Sequence, residues 1–115
     1  MENISRKVAW LEEEAVTEML PGVMRTTLAY NPQMMLCHFN LKKGASIPLH
    51  NHPAAQAGYV ISGSVRFFTK EGRDFKASAG SAYVFDPMEL HGSEVLEDTV
   101  FIECFSPMRP EYIKK

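Results

Sequence analysis

GASIPLHNHPAAQAGYVISG, residues 44–63, decides how the rest of the chain is read. Two histidines separated by one residue, His50 and His52, are followed by Gln56, all between the turn-forming Gly44 and Gly63. On a β-strand alternate side chains point to the same face, so an H-x-H pair sets two imidazoles side by side. Two adjacent imidazoles begin a metal site, and His91 is the candidate for the next ligand. The remaining residues then read as the scaffold that brings these groups together.

Outward from this stretch the pattern is β throughout. VMRTTLAY (23–30) is rich in β-formers and ends at the Asn31-Pro32 turn. MMLCHFNL (34–41) puts Met35, Cys37, Phe39 and Leu41 on one face and His38 on the other, which makes His38 a surface or interface histidine. AGYVISG, then SVRFFTK up to the Glu71-Gly72 hairpin turn, then DFKAS, AYVF, HGSEVL and VFIECFS complete the set. Short strands separated by frequent turn signals are the pattern of a sandwich or a closed barrel. Pro48 and Pro53 flank the histidines, which suits a strand end or a sheet edge. LEEEAVTEML (11–20) fits a short amphipathic helix or an acidic edge segment around a short strand, and Pro21-Gly22 ends either one. The expected architecture is all-β, a small antiparallel jelly roll, in one domain over 1–115. It divides into an N-terminal segment (1–20), a barrel (about 21–107) and a C-terminal tail (108–115).

Composition narrows the partners. With 45% hydrophobic and 23% charged residues the chain is an ordinary globular mixture, able to bury a core without staples. Net charge is −2 and the basic residues are scattered, so the basic stripe that nucleic acid needs is missing. No apolar run is long enough to span a bilayer, and the start MENISRKVAWLEEE has no secretory h-region. Cys37 and Cys104 form no C-x-x-C and read as small buried hydrophobes, so a reduced cytoplasm is the expected compartment.

The spacing G-x5-H-x-H-x3-Q-x6-G, with a second block G-x10-H from Gly80 to His91, resembles the two motifs of the cupins. Cupins are double-stranded β-helix barrels, and the likeness extends over nearly all of the chain after Pro21. It implies one divalent transition metal (Fe, Mn, Co, Ni or Zn) on His50, His52, Gln56 and His91. Gln56 stands where the motif has Glu, so the ion would keep its full charge and favour an anionic substrate. Asp86, Met88 and Val95 depart from the second motif at positions that shape the turn before His91.

GVMRTTLAYNPQMML, PLHNHPAAQAGYVISG and FIECFSPMRPEY are similar to the cupins that open unsaturated uronates in pectin and alginate breakdown. That resemblance implies Glu103, in place of the usual aspartate, and Arg109 as catalytic residues, with Phe105 and Arg25 facing a small sugar-acid substrate. Ala54-Ala55 replaces the usual His-Glu pair. The resemblance also implies a homodimer, paired through N-terminal strands.

The residues themselves argue in the same direction. Glu103 and Phe105 share a strand face, and Ser106-Pro107 turns the chain toward Arg109. An arginine fork beside a cationic metal makes sense when an anion lies between them. The plain alternative is a Glu103–Arg109 ion pair at the barrel mouth. Phe67, Phe68, Tyr59, Tyr83 and Phe85 read as core or dimer packing. Two other functions fit the same pattern: an Fe(II) dioxygenase acting on a small organic acid, and a binding module for a small carboxylate without turnover.

Overall fold

The computed structural model describes residues 4–113. Ten strands follow one another: β1 (Val16–Leu20), β2 (Val23–Asn31), β3 (Met34–Leu41), β4 (Ser46–His50), β5 (Ala55–Ser62), β6 (Ser64–Thr69), β7 (Asp74–Ser78), β8 (Ala82–Phe85), β9 (His91–Val95) and β10 (Thr99–Ser106). They form a six-stranded sheet, β1-β2-β3-β10-β5-β8, and a four-stranded sheet, β4-β9-β6-β7. Every pairing is antiparallel. The two sheets sandwich one core, the jelly-roll arrangement expected, although the hydrogen-bonded ladder does not run continuously from one sheet into the other.

The period-2 pattern explains which side of each strand turns inward. β3 alternates strictly, with Met35, Cys37, Phe39 and Leu41 buried and His38 on the opposite face. β10 buries Phe101, Glu103 and Phe105, which puts a carboxyl group among apolar side chains. The N-terminal segment resolves in favour of the edge strand: β1 borders the six-stranded sheet, preceded by a single 3₁₀ turn at Leu11–Glu13. The segment read as a tail folds back instead of trailing away, and Tyr112, in a short 3₁₀ turn at Pro110–Tyr112, is buried against Phe105.

β4 lies at the edge of its sheet, as Pro48 and Pro53 suggest. His52, however, does not lie on that strand. β4 ends at His50, and His52 sits in the following loop. Pro53 has no N–H to donate to a ladder, so pairing stops before it. The two rings still converge, with centroids 5.7 Å apart, because a second loop ties His52 in place. The Met88 N–H donates to the His52 carbonyl at 2.8 Å, and the Asn51 amide donates to the Met88 carbonyl at 3.3 Å. Met88 adopts φ 65°, the left-handed conformation that a glycine would take there. The departure from the motif therefore keeps the turn, at a backbone cost of about 1–2 kcal/mol.

Two glycines with positive φ separate backbone strain from crowding. Gly44 (φ +89) has open space where a Cβ would go, whereas at Gly63 (φ +88) that carbon would sit 2.7 Å from Thr99 Cα. Gly44→Ala should cost about 1 kcal/mol of stability and Gly63→Ala at least about 3 kcal/mol, because only the second also forces backbone apart. Urea denaturation of the two variants checks this, and equal losses would contradict it.

Candidate metal centre

Three imidazoles meet between the two sheets. His50 and His91 face each other across the β4–β9 pair, and one ring nitrogen from each of His50, His52 and His91 lies within 4.8 Å of the others. In all three the Nδ1–H donates to a backbone carbonyl: His50 to Pro48 O (2.9 Å), His52 to Ala54 O (2.8 Å) and His91 to Glu89 O (2.7 Å). A carbonyl only accepts, so each Nδ1 carries the proton and each Nε2 presents a lone pair. His91 Nε2 is buried with no hydrogen-bond partner. Burial is the main reason that the pKa values of His52 and His91 fall, to about 4 for His91, which keeps both rings neutral. Three neutral imidazoles with converging lone pairs, each oriented by a hydrogen bond on its far nitrogen, fit a divalent transition metal.

Neighbouring groups hold the rings. Phe85 stacks on His91 with centroids 4.3 Å apart and planes 7° from parallel, and Phe105 meets His52 edge-on at 5.9 Å. Arg73 donates to Glu89 at 2.8 Å, and Glu89 also accepts the Asp86 N–H at 2.9 Å, fixing the loop whose carbonyl orients His91. Ala54, where the uronate-opening cupins have a histidine, is buried. Its carbonyl supplies the hydrogen bond that orients His52, a task the backbone performs whatever the side chain.

Gln56 and Glu103 extend the cluster. Gln56 Oε1 lies 2.9 Å from His52 Nε2, and Gln56 Nε2 donates to Glu103 Oε2 at 2.7 Å. Two acceptors at 2.9 Å repel each other unless something electrophilic lies beside both. A metal held by His52 Nε2 and Gln56 Oε1 would be such an electrophile. Tyr83 O–H donates to the same Glu103 oxygen at 2.7 Å. Burial raises the Glu103 carboxyl to about 7, and the bonds from Tyr83 and Gln56 keep it from rising further.

Arg109 and Glu103 do not form the ion pair that was the plain alternative. Arg109 pairs with Glu111 at 3.1 Å and lies over two rings, 4.0 Å from the Tyr112 centroid and 5.0 Å from that of Phe105. His50, Gln56, His91, Glu103, Phe105, Arg109 and Tyr112 all line one cavity of about 120 Å³. Arg25 is not on that wall. It is buried 4.2 Å from the Tyr112 centroid, donates to Thr27 Oγ1 at 3.1 Å and faces a separate recess. Sequence reasoning missed Tyr83, assigned to packing, and Tyr112, assigned to a tail. The signal for Tyr83 was its register with Gly58 and Glu103, which a strand list without pairing does not contain.

Comparison with known proteins agrees with this architecture. The family described as Cupin domain matches residues 37–103. Among solved structures, an RmlC-like cupin from Shewanella frigidimarina NCIMB 400 is similar at TM-score 0.87 and 24% identity, over 94% of this chain and 97% of that one. KdgF from Halomonas sp. is similar at TM-score 0.84 and 30% identity, over 92% of this chain and 97% of that one. An oxalate decarboxylase from Lactobacillus farciminis, in a formate complex, gives TM-score 0.76 and 22% identity, over 96% of this chain but 36% of its own. At the identities of the first and third the likeness is one of fold alone. No curated protein gives a significant match.

The buried carboxyl gives a pH signature in the metal-free protein. Its folded pKa of about 7 stands above the ordinary 4.5, so between these values the fold holds a proton that the unfolded chain has released. Stability from this group is therefore complete below about pH 4.5 and is lost as pH rises through about 7, on the order of 3 kcal/mol in all. His91 acts in the opposite sense, losing stability as pH falls from 6.5 through about 4, and does so equally in wild type and variant. Glu103→Gln should gain on the wild type by that amount between pH 4.5 and 8 in denaturation midpoints. Parallel pH profiles would contradict the assignment.

Proposed function

The chain belongs to the cupin family, and on that premise we propose that it is a metal-dependent enzyme that opens 4,5-unsaturated uronates to linear keto acids. One observation carries the reading: a buried carboxyl, Glu103, and a guanidinium, Arg109, share one cavity wall with His50, His91 and Gln56. The 30% identity to KdgF and the match to the motifs of the uronate-opening cupins support the substrate class. Breakdown of pectin or alginate would supply it. The two free thiols, Cys37 and Cys104, support the cytoplasm as the compartment.

In this reading His50, His52 and His91, through Nε2, and Gln56, through Oε1, hold one divalent ion of Fe, Mn, Co, Ni or Zn. Such an ion, when bound, supplies Lewis-acid stabilisation of negative charge developing on a substrate oxygen. Arg109, braced by Phe105 and Tyr112, orients the uronate carboxylate. Glu103 takes the proton of the anomeric hydroxyl. The C1 carbonyl forms, the bond from C1 to the ring oxygen breaks, and its electron pair leaves an enolate over the ring oxygen, C5 and C4. Glu103 then returns the proton to C4, so the reaction is an isomerisation that consumes nothing. Burial raises this carboxyl and a bound cation would lower it, and the balance of the two sets how readily it takes and returns the proton. Phe105 supplies an apolar wall, and Arg25, expected against substrate, acts through Tyr112.

The test is to load the protein with each candidate metal, add unsaturated galacturonate and follow loss of the conjugated-alkene absorbance. Acceleration over spontaneous opening is expected. At saturating metal Glu103→Ala should lower kcat by about 10²- to 10⁴-fold, and Arg109→Ala should act mainly on KM. No acceleration with any metal would sink the proposal. Oxygen uptake with an organic acid would point to a dioxygenase, and retained metal without turnover of any acid would point to a binding module.

A homodimer belongs to the same reading, formed through the outer face of the six-stranded sheet around β5 and β10 and not through the N-terminal strands that the family resemblance implies. The strand register brings Leu36, Ala57, Tyr59, Ile61, Val84 and Ile102 together on that face. Tyr59 and Ile61 are 47% and 49% exposed. No Asp, Glu, Lys or Arg points outward from β3, β5, β8 or β10, and Arg6 and Lys7 stand only at the border of the face, beside Leu36 and Cys104. Sedimentation should give a dimer that Tyr59→Lys converts to monomer; a monomeric wild type at tens of micromolar would count against this face.

A further inference from the structure

We propose that Glu103 is the residue that makes Gln56 a metal ligand, and that Tyr83 holds Glu103 to that task. The inference rests on the reading of the imidazole cluster as a metal site. A carboxamide has two unlike ends of nearly the same shape, and only its oxygen can ligate. Glu103 Oε2 lies 2.7 Å from Gln56 Nε2. Tyr83 O–H donates to that same oxygen, so Oε2 is an acceptor and claims the amine end, and the carboxamide oxygen must face the imidazoles, 2.9 Å from His52 Nε2.

Tyr83 fixes the carboxylate that does this. Glu103, Gly58 and Tyr83 stand opposite one another on β10, β5 and β8. Gly58 has no side chain, and a Cβ there would fall deep inside the Tyr83 ring and hydroxyl. The phenol therefore reaches across the middle strand and donates to Glu103 Oε2 at 2.7 Å. Its ring packs 4.4 Å from Phe67 and 5.7 Å from Phe85, centroid to centroid, so it has no room to swing away. Both hydrogen bonds end on Oε2, while Oε1 has no protein partner among the described residues. One oxygen positions the ligand and the other is left for the cavity. Toward the metal Glu103 is thus a positioning residue, whatever it does to substrate.

The experiment is a double-mutant cycle read by Co(II) titration of the metal-free protein and by the d–d spectrum, which reports coordination independently of turnover. Gln56→Ala and Glu103→Leu should each weaken Co(II) binding about tenfold or more and alter the spectrum in the same way. The double variant should be no weaker than the weaker single, because once Gln56 is gone Glu103 has nothing to orient. Tyr83→Phe, which leaves every ligand and the carboxylate present but removes the hydroxyl that holds it, should weaken Co(II) severalfold. If Glu103→Leu does not fold, Tyr83→Phe crossed with Gln56→Ala supplies the same cycle. Losses that multiply, or a Glu103→Leu spectrum identical to wild type, overturn the positioning role and leave the metal site standing. A wild-type protein that takes up no Co(II) overturns the metal site itself, and this inference with it.

Discussion

Three lone pairs aimed at one buried space are the constraint around which this fold is arranged. Each of His50, His52 and His91 gives its Nδ1–H to a carbonyl two residues away in sequence, so the orientation of every ring is local. Convergence of the three is not local. It requires the β4–β9 register that faces His50 to His91, and the hydrogen bond from Met88 that draws the His52 loop toward the turn before His91. Without an electrophile, three such nitrogens gain nothing from proximity, and His91 Nε2 is buried unpaired at a cost of roughly 1–3 kcal/mol. A cation bound there would give that nitrogen a partner, and metal and fold would then stabilise each other.

Much of this was legible because period 2 is a strong signal. The boundaries of β3, β7 and β8 coincide with the apolar and turn punctuation of MMLCHFNL, DFKAS and AYVF. The clustering of His50, His52 and His91 was legible because their spacing from Gly44 and Gly80 resembles the two cupin motifs. What escaped was whatever depends on pairing between distant strands. His52 was assigned to a strand because alternation alone cannot tell a strand end from a loop held in similar geometry. Arg25 was assigned to substrate from the family resemblance of GVMR, and a motif does not reveal which side of Tyr112 a side chain occupies. Tyr83 looked like one more core aromatic, and only the row Glu103, Gly58, Tyr83 shows why an aromatic ending in a hydroxyl is there.

The charges at the site follow from these placements. Gln56 presents an oxygen without a negative charge, while Glu103 keeps a carboxylate one hydrogen bond beyond it. In the proposed site the negative charge would thereby stand behind Gln56 and not beside the ion. Arg109 adds a positive group on the same cavity wall, turned from Glu103 by its pairing with Glu111 and its stacking on Tyr112. A divalent ion held there would, with the guanidinium, outweigh the carboxylates of Glu103 and Glu111 and leave the pocket positive, the balance an anionic ligand would complete.

Glutamate in place of aspartate at position 103 then has a geometric reading. One methylene moves a carboxylate on the order of 1 Å, beyond the ~0.5 Å tolerance of a catalytic group. A longer side chain is tolerable only if its end is fixed. Here it is fixed twice, by the Gln56 amide and by the Tyr83 hydroxyl, each 2.7 Å from the same oxygen. The extra length also gives the carboxylate more rotamers to lose, and the two donors, the bare Gly58 backbone and the aromatic packing around Tyr83 restrict them together. The change at 103 cannot therefore be judged by itself. It belongs with Tyr83 and Gly58, and the three act as one device across three neighbouring strands.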